Sequence, residues 1–544
     1  MKKVLKMLLC SMMALSLAGC GSSSTADDTY VFSSELDVKN LDSADSDDGM
    51  SFTAMHACID GLMGVDEDGV TSPALATDEG TVSNDGYTIT YTLKDDLKWS
   101  NGDAVTANDF VYAAHRIFAN NGNYAYLYGS EGAHIAGADD LMAKMSEEDF
   151  DGFSDADLDT LGVKAVDEKT VEYTLTLPVS YFNEFLAFPA FYPINEAFAE
   201  EQGDSYAKSA DTVLSNGAYI MKTWEVGKQV TYEKNEDYWN ADAVKMSKLV
   251  LNLVVTPEVA ATSFKNNETD FALINSSLVD EWKDNEAFKS ISEGYLFYIS
   301  VNTKVEALAN KNIRNAIAYA IDREDLCENT LKDGSTAAAG FVPTGLATNS
   351  EGKDFRADSG EYTSYDLDKA QEYFDAGLKE LGKSELTIEL LYGTDESPMD
   401  IFATYLESAL SKIDGLTITM KATTKQDRIY NKQANGDYEI CCTRWGPDYA
   451  DPTTYLNLAV TGNSNNYGKY SSATYDKLMK AVNSATDMTK RWSDMKEAEA
   501  VLMDDMSFIP VFEKGSASLQ NTKTSGLVVR SVGVPYTFNY VTKG

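Results

Sequence analysis

The chain has 544 residues, 86 of them acidic and 45 basic, for a formal balance of −41. A surface this negative repels nucleic acid and anionic lipid, which excludes both as partners of the folded body. With 43% hydrophobic residues and clear periodicity the chain is not disordered, and at roughly 100–200 residues per domain it holds about three to five domains.

Lys2, Lys3 and Lys6 precede an apolar run from Met7 to Ala18 that is too short for a stable membrane-spanning helix. The run ends in Leu17-Ala18-Gly19-Cys20. Small residues before a cleavage point mark a secretory signal peptide, and the cysteine after them resembles a bacterial lipobox. The expectation is a signal peptide over 1–19, a lipid on Cys20, and a polar tether over 20–29 that holds the body outside the cytoplasm at the membrane. No later stretch is apolar enough to cross a bilayer. Beyond Cys20 stand Cys58, Cys327, Cys441 and Cys442. Their spacing gives no disulfide framework, and a bond between the neighbours Cys441 and Cys442 would be strained. All four are expected to be buried and reduced.

Tyr87, Ile89, Tyr91 and Leu93 alternate with threonines, the pattern of a half-buried strand, and Val171 to Leu177 repeats it. Between them Thr106-Ala107-Asn108-Asp109 predicts a capped helix start, followed by Phe110, Ala113, Ala114 and Ile117 on one stripe. Residues 71–210 therefore read as an α+β unit with polar insertions. Further on, Asn312 is expected to cap a helix whose apolar face is Ile313, Ala316, Ile317, Ala320 and Ile321. From Leu386 the pattern is strand, helix, strand, helix, strand. The strands are Leu386–Tyr392, Leu416–Ala422 and Tyr438–Thr443, and the helices Pro398–Ile413 and Lys425–Ala434. This alternation predicts an α/β lobe with a largely parallel sheet, whose ligands sit beyond the carboxyl ends of the strands.

Catalytic constellations are missing. Gly377 to Ser384 matches the phosphate-loop pattern, but a phosphate loop follows a strand and opens a helix. Here Ala370, Tyr373, Phe374 and Leu378 keep helical step into the motif, so Gly382 reads as a helix C-cap. The three histidines, His56, His115 and His134, have no metal-ligand spacing, and no zinc or calcium loop is complete. No nucleophile elbow appears. The absence of a catalytic constellation weakens any enzyme reading, and no cofactor and no metal is expected.

Several blocks then recur in order: Ile59-Asp60-Gly61-Leu62 with Pro73-Ala74-Leu75-Ala76; Trp99-Ser100-Asn101-Gly102-Asp103; Asn216-Gly217-Ala218-Tyr219; Lys234-Asn235 with Tyr238-Trp239; Ile313-Arg314-Asn315-Ala316; Ala320-Ile321-Asp322-Arg323; and Trp445-Gly446-Pro447-Asp448-Tyr449 with Asp451-Pro452. Together they resemble the family 5 solute-binding proteins of ABC transporters, the oligopeptide- and dipeptide-binding group. Most of these residues are expected to be scaffold, because apolar positions pack. The resemblance implies an α/β, two-lobed periplasmic-binding-protein-like fold with a hinge and an α+β domain inserted in lobe I. It implies lobe I over 30–70, 211–298 and 511–544, the insertion over 71–210, and lobe II over 299–510. It also implies a monomer that captures oligopeptides between closing lobes and delivers them to the permease subunits of an ABC importer. A nickel chelate, haem or oligosaccharide remains an alternative ligand, and a peptide-sensing or chaperone lipoprotein an alternative role.

A receptor for many peptides must grip their invariant parts, through strand pairing and contacts to charged ends. By the resemblance, Asp448 meets the peptide α-amino group, the backbone from Thr443 through Arg444 to Trp445 pairs with the peptide, and Leu36-Asp37-Val38 pairs from the other lobe. Asp448 is otherwise the cap of its own turn. Gly446 stands where enteric relatives have a disulfide cysteine, Cys442 where they have arginine, and Arg444 where they have glycine. Arg444 therefore either meets an acidic group of the ligand or points to solvent, since neighbouring strand residues face opposite sides.

Overall fold

Residues 28–46, 48–130, 132–147, 149–349, 351–485 and 487–544 are described by the computed structural model; the expected leader, Cys20 and most of the tether lie outside them. Ten strands form the path of one large mixed sheet: β1 (Thr29–Ser33), β2 (Tyr219–Glu225), β3 (Gln229–Lys234), β4 (Lys248–Asn252), β5 (Phe271–Ile274), β6 (Phe288–Val301), β7 (Leu386–Gly393), β8 (Leu416–Thr423), β9 (Ile440–Trp445) and β10 (Phe508–Gln520). Their spatial order is β8-β7-β9-β6-β10-β5-β1-β4-β3-β2. The first lobe is built on β1 to β5 and the second on β7 to β9. The two long strands β6 and β10 run antiparallel through the middle and belong to both.

Residues 71–210 carry their own antiparallel sheet, ordered Thr81–Ser83, Thr88–Thr92, Thr170–Thr174, Val163–Asp167. Ile89 and Tyr91 are buried, as their alternation requires. The helix Ala107–Ala119 follows, and its Asp109 carboxylate accepts from Thr106 N at 2.9 Å and from Trp99 Nε1 at 3.1 Å. Burial pushes the Asp109 carboxyl up to about 6, despite these donors. The apolar interior of this unit is continuous with that of the first lobe, Phe110 and Tyr173 joining the same cluster as Phe32 and Leu251.

In the second lobe β7 pairs in parallel with both β8 and β9, with the helix Met399–Leu410 between β7 and β8. Three expectations need correction. Asn310, not Asn312, caps the helix Lys311–Tyr319: its extended backbone puts its carboxamide oxygen 2.9 Å from Asn312 N. The expected helix over 425–434 is one wide turn, Asp427–Gln433, in which Ala434 N donates to Ile429 O five residues back. The third strand starts at Ile440 and runs on to Trp445, because its antiparallel ladder with β6 extends from Ile440–Val301 to Trp445–Leu296.

The phosphate-loop pattern is scaffold. Gly377 lies inside the helix Leu367–Leu381, where a Cβ would come within 2.5 Å of Ile313 Cδ1, and Gly382 ends that helix at φ +66°. Lys383 lies 3.7 Å from Glu306. Cys58, Cys327, Cys441 and Cys442 are free and buried. No helix among the described residues is long and apolar enough to cross a membrane.

Candidate ligand-binding cleft

Between the lobes lies a cleft of about 820 Å³, walled on the first-lobe side by Leu36, Phe52, Tyr124, Tyr126 and Phe188 and on the second by residues 443–448. Its floor is the crossing of β6 and β10, including Glu293, Tyr295 and Ser516. At this level β6 leaves register with β10 between Ser292 and Leu296. The irregularity turns on Gly294, at φ +78°, and brings Tyr295 into the cleft.

The sequence-predicted residues of the second lobe meet here. Thr443 and Trp445 sit at the end of β9, where one edge is paired with β6. The ladder from β7 to β9 stops at Cys441, so from Thr443 to Trp445 the other edge has no strand beside it among the described residues. Arg444 does not point away to solvent. Its Nε donates to Glu396 Oε1 at 2.6 Å, and its guanidinium lies 4.2 Å from the Tyr295 ring centroid. Gly446 is required beside that ring, since a Cβ there would fall 2.3 Å from it.

Asp448 lines the cleft, with Oδ1 3.4 Å from the Tyr126 hydroxyl across the lobe boundary. Its loop is fixed by three anchors. Asp448 N donates to Thr454 Oγ1 at 3.0 Å, the Tyr449 ring stacks on Tyr181 with centroids 4.8 Å apart, and Asp451 takes a bidentate ion pair from Arg491 at 2.6 and 2.8 Å. The carboxylate is therefore preorganised rather than carried on a mobile turn.

The segment after β1 divides. Leu36 is 61% exposed and lines the cleft. Asp37 instead accepts from Gly227 N at 3.1 Å and Val38 N at 2.9 Å, which ties it to the β2–β3 turn. Val38 is buried in the first-lobe core.

Sequence reasoning missed Glu396, Lys425, Arg428 and Gln433, which come from the segments after β7 and β8. Arg428 is 1% exposed and donates to Thr443 Oγ1 and Gln433 Oε1, both at 2.7 Å, and to Glu396 Oε2 at 2.9 Å. Burial would raise the Glu396 carboxyl, but Arg444, Arg428 and Lys425 outweigh it and hold it below the usual range. The only advance signal was the pair of cations, Lys425 and Arg428, in a short segment between two strands.

Residues 71–467 match the model of the bacterial extracellular solute-binding proteins, family 5. The chain belongs to that family. A dipeptide-binding protein of Lactococcus lactis subsp. cremoris is 34% identical, over 96% of this chain and 95% of its own length. The oligopeptide-binding protein OppA of Bacillus subtilis is 30% identical, over 90% and 88%. Among solved structures, OppA of Listeria monocytogenes bound to peptide is 33% identical, covers 95% of this chain and 99% of its own, and has a TM-score of 0.68. The periplasmic murein tripeptide-binding protein MppA, in an unliganded open form, shares the fold at a TM-score of 0.81 and 22% identity, over 95% and 97%. The mixed α/β fold of this family 5 solute-binding protein thus spans nearly the whole chain. The protein is an extracytoplasmic solute-binding protein and not an enzyme.

Proposed function

We propose that this protein is a receptor that captures peptides between its two lobes and delivers them to an ABC importer. The observation that carries the reading is Asp448, a preorganised carboxylate in the cleft just past a strand end, Thr443–Trp445, with one edge unpaired. A peptide laid along that edge gains backbone hydrogen bonds at about 0.5–1.5 kcal/mol each. Its ammonium group donates a charge-assisted hydrogen bond to Asp448. Leu36 meets it from the first lobe, and Trp445 and Arg444 frame it in the second. The relatives named for dipeptides and oligopeptides favour this ligand class over a nickel chelate, haem or oligosaccharide. Lobe I comprises 30–70, 211–298 and 511–544, the inserted domain 71–210, and lobe II 299–510. Cys20 carries a lipid that keeps the receptor beside its permease partners. The test is native purification followed by mass spectrometry of the released ligands, with the native chain taken from membranes and Cys20→Ser from the soluble fraction. Peptides are expected from both. A non-peptide ligand would overturn the receptor reading, and Cys20→Ser remaining in membranes would overturn the anchor.

A further inference from the structure

Tyr449 follows β9 of the second lobe, yet its side chain packs in the first. The residue is 6% exposed and joins the apolar cluster of Phe182, Phe185 and Tyr192. Its ring stacks on Tyr181 with centroids 4.8 Å apart and planes 9° from parallel, and lies 5.3 Å from the Phe185 ring. The chain on either side stays with the second lobe, where Trp445 and Ala450 pack against the cluster of Tyr455 and Leu456. Polar contacts fix the seat from the second-lobe side. Thr453 Oγ1 donates to the Tyr449 hydroxyl at 3.3 Å and to Asp451 Oδ1 at 2.6 Å. The Arg491 guanidinium, paired with Asp451, lies 5.2 Å from the Tyr181 ring centroid. One aromatic knob of the second lobe is thus seated in the unit of residues 71–210.

Space flanks this seat. Asp448 lines the cleft, and Ala450 lines a second cavity of about 440 Å³, between Glu184 and the segment 344–348. Drawing a large aromatic side chain out of a packed core into water is unfavourable, whereas turning about it into free space is not. The seat and the crossing of β6 and β10 are then the two points that a swing of the lobes leaves in place, and two points define an axis. The Asp448 Cα lies about 3.8 Å from that of Tyr449, the spacing of neighbours in a chain. Its carboxylate therefore moves little relative to the first lobe. The wall over 425–433 has no such seat. Lys425 and Arg428 pair with Glu396 of their own lobe, and they travel with it.

We propose that Tyr449 is the pivot about which the lobes turn, and the positioning residue that keeps Asp448 fixed to the first lobe throughout the swing. This rests on the peptide reading and deepens it. The site for the peptide's amino end is complete before closure, and the wall over 425–433 is the part that closes on the rest of the ligand.

The test has two arms on the full-length chain, with Tyr449→Leu, which removes the ring, and Tyr449→Phe, which keeps it. The first arm is hydrogen exchange read by mass spectrometry, without added peptide. A seated ring predicts slow exchange over Phe182–Leu186 in the native protein and in Tyr449→Phe, and exchange about tenfold or more faster in Tyr449→Leu. Fast exchange there in the native protein, or no change on Tyr449→Leu, overturns the pivot. Tyr181→Leu removes the other ring of the stack and takes the place of Tyr449→Leu should that variant fail to fold. The second arm offers pools of peptides of two to six residues, one with free amino termini and one N-acetylated, and reads the captured peptides by mass spectrometry. Loss of a charge-assisted hydrogen bond corresponds to about tenfold or more in affinity. The native protein and Tyr449→Phe are expected to favour free amino termini about tenfold, and Tyr449→Leu to lose most of that preference while still capturing peptides. A merely structural role would lower capture of both pools alike. A preference kept in full by Tyr449→Leu, or equal losses from both pools, overturns the positioning role and leaves peptide reception standing. Equal capture of the two pools by the native protein overturns it as well. Capture of neither pool by the native protein overturns the peptide reading itself, while the first arm still decides the pivot.

Discussion

An ammonium group enclosed without a counter-charge is costly, whereas a carboxylate partner turns it into a strong hydrogen bond. Asp448, the partner proposed for it, is held in place by Thr454, by the Tyr449–Tyr181 stack and by the Asp451–Arg491 pair. Asp448→Asn keeps the shape and removes the charge. It should weaken peptides with a free amino terminus by about 1.5–3 kcal/mol. N-acetylated versions should bind the native protein poorly and lose little on substitution. Calorimetry on both proteins with both peptide forms gives the double-mutant cycle. Equal losses for the two forms would reduce Asp448 to a cap of its own turn. Asp448, Trp445 and Arg444 were legible because they stand in one short motif of the chain. Glu396 and Arg428 were not, since they are 32 residues apart and meet only once β7 and β8 are paired. Leu36 and Val38 show the limit of reading a segment as a block: one is exposed in the cleft and the other buried in the core.

Elements were readable wherever period and caps agreed. The parallel β7, β8 and β9 came through because their apolar residues recur on strand spacing between helices, and Gly382 because a helix must end before a strand begins. The wide turn Asp427–Gln433 was read as an ordinary helix, since its polar sequence gives no sign of hydrogen bonds reaching five residues back. Nor does sequence mark what the joining strand β10 carries at its crossing. Glu513 on β10 is 4% exposed, and its carboxylate accepts from Thr344 N at 3.1 Å and Thr344 Oγ1 at 3.3 Å. Burial pushes its carboxyl up to about 7, with Asp354 adding to the rise and Thr344 and Arg356 opposing it. In the unfolded chain the same group ionises near about 4.3. Between those values the native state keeps a proton that the unfolded state has released, so stability falls as pH rises. The contribution is whole below about pH 4 and gone above about pH 7, a loss of about 4 kcal/mol at most. Glu513→Gln keeps an acceptor for Thr344 and stays neutral. It should melt close to the native protein at pH 5 and at a higher temperature at pH 8. Scanning calorimetry at the two pH values checks this, and a constant difference between them would contradict it.

At the scale of the whole molecule, two lobes with separate apolar cores are joined through β6 and β10. Both strands are irregular or tightly packed at the crossing. Gly294 takes φ +78° on β6, and Gly515 on β10 packs so closely on Gly334 that a Cβ would meet its carbonyl oxygen at 2.0 Å. Only short backbone segments therefore need to change for the lobes to swing, as hinge closure requires. Tyr430, on the second-lobe wall of the cleft, is 68% exposed. A ligand favours the closed form only by touching both lobes there, because an equilibrium shifts by the difference in affinity between its states. A peptide paired to Thr443–Trp445 on one side and to the Leu36 segment on the other supplies that difference; one bound to a single lobe does not. Saturating peptide should therefore lower the radius of gyration measured by small-angle X-ray scattering, toward the value of about 24 Å expected for a compact chain of this length. Substituting Leu36→Asp places a charge on the first-lobe wall without disturbing a buried residue. It should reduce both affinity and compaction, whereas Asp448→Asn with an acetylated peptide at saturating concentration should still compact. An unchanged radius in the native protein, with binding shown independently by calorimetry, would mean that the peptide is held by one lobe and that β6 and β10 are a rigid bridge rather than a hinge.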